Sequence, residues 1–304
     1  MNFKNIHSLS PRLWKSTTGL SKQQFDILLV KFQICYENYH KTTLSEGFNS
    51  LNIKNSILDT YEICLFFVLF QLKNGLTFDT LGFVFNTDGS NAHRNFERYL
   101  FVLEMTLKQA QMLPKRTYKT VEDLIAHLAD ESDLIFDGTE FPIERPSDKG
   151  KQKTILVKKK THVKKVLILS NKNRKILYIS QLYTGAKHDF SMLKTEFPSS
   201  LPWFNNYILW LDSGFQGFID YYETTILHLS LRRKRAKKGQ KSDLTPQQLM
   251  HNRSVAKERI FIEHSIGGMK RYRILYNRIR LKNDAIIDRI INVGAALWNF
   301  NISS

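Results

Sequence analysis

Apolar positions recur at helical spacing in the first third of the chain and gather into runs of strand length later. Over residues 20–40, Phe25, Leu28, Leu29 and Phe32 fall on one helical face. Ser21, with Gln24 three residues on, has the form of a capping box for that helix. Residues 42–54 are mostly polar, with Gly47, Asn49 and Asn52, and predict a loop. The segment 57–72 is apolar nearly all round, which predicts the central helix of a helical domain.

Thr77 stands where it would cap a short helix with Phe78, Leu81 and Val84 inward, and residues 86–89 form a turn. A helix beginning at Ser90 then turns Asn91, His93, Arg94, Glu97 and Arg98 outward and Phe96 and Leu100 inward. Two short helices around such a turn, with polar and basic residues early in the second, describe a helix-turn-helix near 77–100. Its expected DNA contacts are Asn91, His93, Arg94 and Arg98. Residues 105–119 are mixed, and one more helix is expected over 120–129, with Val121, Leu124, Ile125 and Leu128 inward. The domain boundary falls near Pro114, giving a helical domain over 1–114 and a second domain over 115–304.

The pattern changes after the boundary. Leu134-Ile135-Phe136 runs into Asp137-Gly138, and residues 208–211 repeat the design before Asp212-Ser213-Gly214. Both read as buried strands delivering a carboxylate at the carboxyl end, where open α/β sheets place reacting groups. Residues 161–169 and 176–182 predict an antiparallel hairpin about the turn 171–174. A short helix over 190–197, a strand over 226–231, a long helix over 247–275 and a last helix over 285–299 complete the expectation. The fold class is α/β: a ribonuclease H-like mixed sheet flanked by helices, preceded by an all-α helix-turn-helix domain.

On the long helix, Arg259 and Glu263 lie roughly 40° apart and Arg259 and Lys270 roughly 20°, which predicts one charged stripe. Such a stripe can be a surface ion-pair ladder. It can equally be a metal ligand beside phosphate-binding cations. Next to two strand-end aspartates, the second reading is the better one.

Composition sharpens the picture. The 304 residues carry 45 basic and 28 acidic side chains, a formal charge of +17 that points to a polyanionic partner, DNA. Cys35 and Cys64, each in an apolar helical context, make neither a zinc site nor a disulfide framework. Residues 1–15 lack a signal-peptide core, and the longest apolar run, 63–70, is far short of the roughly 20 residues of a membrane span. A cytoplasmic protein, nucleoid-associated if bacterial, is therefore expected, with no membrane contact. No Walker-type loop, GxGxxG or nucleophile elbow appears, so no small-molecule cofactor is expected.

Cutting a phosphodiester needs a deprotonated water and a neutralised leaving oxygen, and two hard cations supply both. Mg²⁺ or Mn²⁺ takes oxygen ligands. The ligand set read from the sequence is Asp137, bridging, with Asp212 and Glu263 completing the two shells. Glu140 and Glu144 are rival ligands, and Glu140 suits support of the first shell. His188 is placed to orient a water or phosphate, and Asp189 to cap the helix that follows it. Basic clusters at 158–160 with Lys164-Lys165, at 232–241, and at Lys270-Arg271 with Arg273, Arg278 and Arg280 suit phosphate contacts. Among these, Arg259, Lys270 and Arg271 are the expected DNA-binding residues. Trp203, Trp210 and Tyr272 are candidate stacking rings, with core packing the better reading of the two tryptophans.

Four blocks carry a family resemblance: Phe136-Asp137-Gly138-Thr139-Glu140-Phe141-Pro142-Ile143 with Arg145-Pro146, Gly185-Ala186-Lys187-His188-Asp189, Leu211-Asp212-Ser213-Gly214-Phe215-Gln216-Gly217, and Arg259 through Gly267 with Lys270-Arg271. They are similar to those of insertion-sequence DDE transposases of the DDE superfamily endonuclease type, related to Harbinger elements. The spacing of Arg259, Glu263 and Lys270 resembles the Arg-x3-Glu-x6-Lys signature of related transposases, with Ala256 where the longer signature carries Tyr. The resemblance implies a catalytic triad of Asp137, Asp212 and Glu263 and two divalent metal ions. It also implies nicking at terminal inverted repeats and 3′-hydroxyl attack on target DNA. A homodimer on DNA is expected, because two ends react. Two alternatives stand beside this reading: a domesticated transposase that only binds DNA, and a stand-alone metal-dependent nuclease.

Overall fold

The computed structural model describes residues 3–50, 56–145, 162–233 and 243–303, with backbone alone for 3–5. The basic cluster at 158–160 and most of the run at 232–241 lie outside the described residues. The chain forms two compact units. One comprises Met1–Leu113, Phe141–Pro146 and Gly268–Ser304, the other Pro114–Glu140 and Ser147–Gly267. No helix among the described residues is long and apolar enough to cross a membrane.

The first unit is helical: α1 (Pro11–Thr18), α2 (Lys22–His40), α3 (Leu44–Ser50), α4 (Tyr61–Asn74), α5 (Phe78–Val84) and α6 (Gly89–Gln109). The Ser21–Gln24 capping box at the start of α2 is present in both directions. The predicted loop over 42–54 contains a helix instead. Thr43 and Glu46 form a second capping box: Glu46 N–H donates to Thr43 Oγ1 and Thr43 N–H to Glu46 Oε2. That signal was present in the sequence, hidden among the surrounding polar residues.

Helix α4 is the centre of this unit, as its composition predicts. Seven consecutive residues, Ile63 to Leu69, are buried. Around it pack α1, α2 and α6. Phe67, fully buried, meets Phe85 edge-on at 4.8 Å and Tyr99 at 6.5 Å between ring centroids. Replacing Phe67 with Ala is expected to lower stability by about 3–5 kcal/mol, through lost burial and an unfilled cavity. Urea denaturation checks it, and a loss under about 1 kcal/mol would contradict this packing. Both cysteines are buried, and burial pushes the Cys64 thiol up to about 12, so neither is a reactive thiolate.

In the second unit the sheet runs β3-β2-β1-β5-β6, with the short β4 paired to β2. The strands are β1 (Asp133–Pro142), β2 (Val163–Ser170), β3 (Ile176–Ile179), β4 (Tyr183–Thr184), β5 (Ile208–Leu211) and β6 (Ile226–Leu229). β2 and β3 form the expected antiparallel hairpin, whereas β5 is parallel to both β1 and β6. Helices α7 (Val121–His127) and α8 (Asp189–Glu196) cover one face. Leu134, Phe136, Leu167, Leu169, Leu209 and Leu211 point into that core. This mixed open sheet, with helices flanking it and a helical region before it in the chain, is the ribonuclease H-like arrangement.

The long helix α9 runs Pro246–Met269, shorter than predicted. It is tied to the sheet through His251 to the Leu229 carbonyl at 2.9 Å and Ser265 Oγ, which donates to the Arg174 carbonyl at 2.9 Å. It ends at Met269, so Lys270 stands one residue beyond it, and Arg259 turns to Asp137. Near its end Gly268 packs against the last helix: a β-carbon there would stand 2.6 Å from Trp298 Cδ2, so a side chain does not fit. A short helix α10 (Arg273–Tyr276) and the last helix α11 (Asp284–Ser303) follow, both in the first unit. Arg289 of α11 is paired with Glu104 of α6 at 2.7 Å.

Candidate active site

The site is built by strand register. Cα partners between β1 and β5 are Asp133 with Ile208, Leu134 with Leu209 and Ile135 with Trp210, a constant offset of 75. Continued two residues beyond the paired positions, that offset would set Asp137 opposite Asp212, at the ends of adjacent strands spaced roughly 4.8 Å. The pleat agrees. Leu134 and Phe136 enter the core beneath α7 and α8, as do Leu209 and Leu211, so alternation puts Asp137 and Asp212 on the opposite face. β1 does not end at Asp137, as expected, but continues to Pro142. Its parallel pairing with β5 ends two residues before Asp137, at Ile135 and Trp210.

Both oxygens of Asp137 have a partner. Its Oδ1 accepts the Gly138 N–H at 2.9 Å, and Arg259 Nη2 of α9 lies 3.1 Å from its Oδ2. Burial pushes its carboxyl up to about 7. Arg259 opposes that shift, whereas the charges of Asp212 and Asp189 add to it. Asp212 caps the short turn after β5, its Oδ1 accepting the Gly214 N–H at 2.6 Å.

Asp189 is the residue whose place the sequence did not reveal. It does not cap α8; His188 holds the N-cap position and makes no side-chain cap bond. Instead the Asp189 carboxylate fills the space left by two glycines. A β-carbon on Gly138 would stand 2.6 Å from Asp189 Cγ, and one on Gly214 would stand 3.3 Å from its Oδ2. Lys165 of β2 fixes it, with Nζ 2.6 Å from Asp189 Oδ1 and 4.0 Å from Glu140 Oε1. Lys165 reads in sequence as part of a surface basic cluster, yet it is buried. The signal was its phase: Val163, Lys165, Leu167 and Leu169 share one side of β2, so the lysine falls on the core face. Glu140, His188, Asp189 and Asp212 line one cavity of about 470 Å³.

Glu263 stands on α9 one turn beyond Arg259, exposed, with no ion pair or hydrogen bond among the described residues. Arg259 has turned inward to Asp137 and is 11% exposed, so it forms no ladder with Glu263. Among the described residues no three acidic, histidine or cysteine side chains converge closely enough to hold a metal ion. Of the helix-turn-helix candidates, Arg94 and Arg98 are exposed and Asn91 and His93 half-buried. Asp88 caps α6 through the Asn91 N–H at 2.8 Å, Asn91 Oδ1 accepts from Arg94 at 2.6 Å, and His93 lies 4.4 Å from the Phe78 ring. Trp203, Trp210 and Tyr272 are all buried.

A family model described as DDE superfamily endonuclease matches residues 136–299, more than half of the chain and a span that includes Asp137, Asp189, Asp212 and Glu263. The chain belongs to the DDE superfamily endonuclease family. It is 29% identical over 183 residues to a probable transposase for insertion sequence element IS702 from Microchaete diplosiphon. That match covers 60% of this chain and 62% of the relative, so less than two thirds of the relative's length is spanned. No solved structure matches the chain significantly.

This family implies a divalent cation, and the donor chemistry fits one. Asp137, Asp212, Asp189 and Glu263 offer only carboxylate oxygen, the hard donor set of Mg²⁺ or Mn²⁺. The half-buried Asp137 carboxylate already holds a cation, the Arg259 guanidinium, at its Oδ2. This DDE endonuclease therefore carries the donor types that a metal needs, with part of their charge offset by Arg259 and Lys165.

Proposed function

We propose that the protein is a DNA transposase that nicks the terminal inverted repeats of its element and joins the freed 3′-ends to target DNA. The observation that carries this reading is the shared register and face of Asp137 and Asp212 at the end of the β1–β5 pairing. Asp137, Asp212 and Glu263 are its metal-holding acids, with Asp189 in support. Bound divalent metal supplies the positive charge that activates water and steadies the leaving oxygen.

The chain's own residues do the rest. Arg259 keeps the Asp137 carboxylate oriented along β1 and lowers the cost of ionising it. Lys165 holds Asp189 beside the glycine after each strand acid, so the carboxylate positions both loops at once. Glu140 and His188 line the adjoining cavity, where a phosphate or water is oriented. In the first step water adds to phosphorus and the bridging P–O3′ bond breaks, leaving a 3′-hydroxyl. In the second that hydroxyl attacks a target phosphodiester and displaces a target 3′-oxygen. Two ends react together, so the active form is a homodimer on DNA. Arg94 and Arg98, exposed on α6, supply contacts to the repeats.

The test is a Mg²⁺-dependent cleavage and strand-transfer assay on the element's own ends, comparing wild type with Asp137→Ala, Asp212→Ala and Glu263→Ala. Loss of both steps in all three variants is the expected result. Full cutting by Glu263→Ala would remove that residue from the triad. Nicking without joining by wild type would point to a stand-alone nuclease, and binding with no cutting to a domesticated DNA-binding protein.

A further inference from the structure

The helical unit holds a cavity of about 700 Å³ lined by residues outside the helix-turn-helix at 77–100. Lys15 from the last turn of α1, Lys73 from the last turn of α4, and Arg271 from the turn after α9 converge on it. Lys73 Nζ donates to the Arg271 carbonyl at 3.0 Å, which ties two of the three together. Among the described residues no aspartate or glutamate lines the cavity. Among the described residues none of the three cations makes an ion pair with a carboxylate. Lys73 is half-buried, and burial together with Arg273 and Arg271 pushes its ammonium below the usual lysine range. Positive charge is thus gathered here without an internal counterion.

Neutral hydrogen-bonding groups complete the wall: Gln23 in the first turn of the 19-residue α2, and Asn301 near the end of α11. The start of α2 adds the positive end of its dipole. The aromatic residues of the wall, Tyr272 and Trp298, are both buried, and Tyr272 accepts a hydrogen bond from Asn301 at 3.3 Å. They form a floor and offer no face on which a base can stack. Cations and neutral donors without an open ring fit phosphates, and contacts to phosphates position a duplex without reading its sequence.

Helix electrostatics alone could place two of these cations. Lys15 and Lys73 sit in last turns, where a cation offsets the helix dipole. Those ends are already capped, by the Gly19 N–H to the Lys15 carbonyl and the Gly75 N–H to the Gln71 carbonyl. Nor does dipole compensation call for an open, acid-free cavity or for Gln23 and Asn301 along its wall.

We propose that this cavity is a second DNA site, distinct from the helix-turn-helix, that grips the phosphodiester backbone through Lys15, Lys73 and Arg271 independently of sequence. It rests on the reading of the protein as one that acts on DNA. The test uses the full chain and a fluorescein-labelled duplex of arbitrary sequence, about 30 base pairs long, with affinity measured across a salt series. Lys15→Gln with Arg271→Gln is expected to make the log–log salt slope shallower by roughly 2, about 0.9 for each phosphate no longer neutralised. Affinity at moderate salt should fall about tenfold. Gln23→Glu is the second variant: it places a carboxylate in the wall at an exposed position and in a first turn, where the helix dipole favours it. Weakened DNA binding with an unchanged melting temperature is expected. If wild type binds and both variants keep its slope and affinity, the site is excluded while the DNA reading stands. If wild type does not bind duplex DNA at all, both fall. Binding that weakens only when charges on α6 are removed would also overturn the proposal.

Discussion

Replacing Asp137 with Asn is expected to abolish DNA cleavage, by about 10³-fold or more, and at the same time to stabilise the metal-free fold at alkaline pH. The first effect follows from losing a carboxylate that only an acid can replace as a metal ligand. The second follows from where that carboxylate sits. Burial raises its pKa to about 7, against about 3.9 in an unfolded chain. Below about pH 4 the acid is neutral in both states and costs nothing. Between about pH 4 and 7 the unfolded chain ionises first, so the folded state binds more protons and wild type loses stability as pH rises. At roughly 1.4 kcal/mol per unit, the loss by about pH 8 is on the order of 2–4 kcal/mol. An Asn at this position mimics the neutral acid and escapes it. Urea titrations in EDTA at about pH 5 and about pH 8 measure the gap, which should open with pH. Mg²⁺ should raise the melting temperature of wild type and leave Asp137→Asn unmoved. A gap that does not change with pH would show that Asp137 is not buried among like charges.

The next largest effect is expected at a residue with no side chain. Gly138→Ala puts a β-carbon 2.6 Å from Asp189 Cγ, so the carboxylate must leave its place. It cannot leave freely, because Lys165 holds it at 2.6 Å. Stability should fall by about 1–3 kcal/mol as the pair is strained. Cleavage should fall about 10²-fold, since displacing a positioning group by about 1 Å is enough for that. Asp189→Ala in the same chain vacates the space, so the double variant should recover stability relative to Gly138→Ala but not cleavage. Recovery of both would mean that Asp189 fills a gap and does no more; non-additive stability with no recovery of cutting is the result its positioning role requires.

These two residues also mark the limit of what could be read along the chain. Asp137, Asp212 and their following glycines were legible because each ends a run of apolar residues, and that pattern is local. Asp189 was read as a helix cap for the same reason: only its neighbours in sequence were visible. Its real partners, Gly138, Gly214 and Lys165, lie between 24 and 51 residues away, and nothing local encodes them. Arg259 shows the same thing in reverse. Helical spacing paired it with Glu263, while the fold gave it Asp137, a residue on another element.

Hydrophobic periodicity and short motifs are properties of adjacent residues, and they were enough for the helical first third, the strands, the two strand acids and the family blocks. Which acids come together was fixed by the folded chain. That depends on the 75-residue offset between β1 and β5, on the turn of α9 that reaches Asp137, and on the glycine gaps that Asp189 fills. Each of these is set by packing between distant segments, where register and close approach are fixed by the whole core rather than by any one stretch of it.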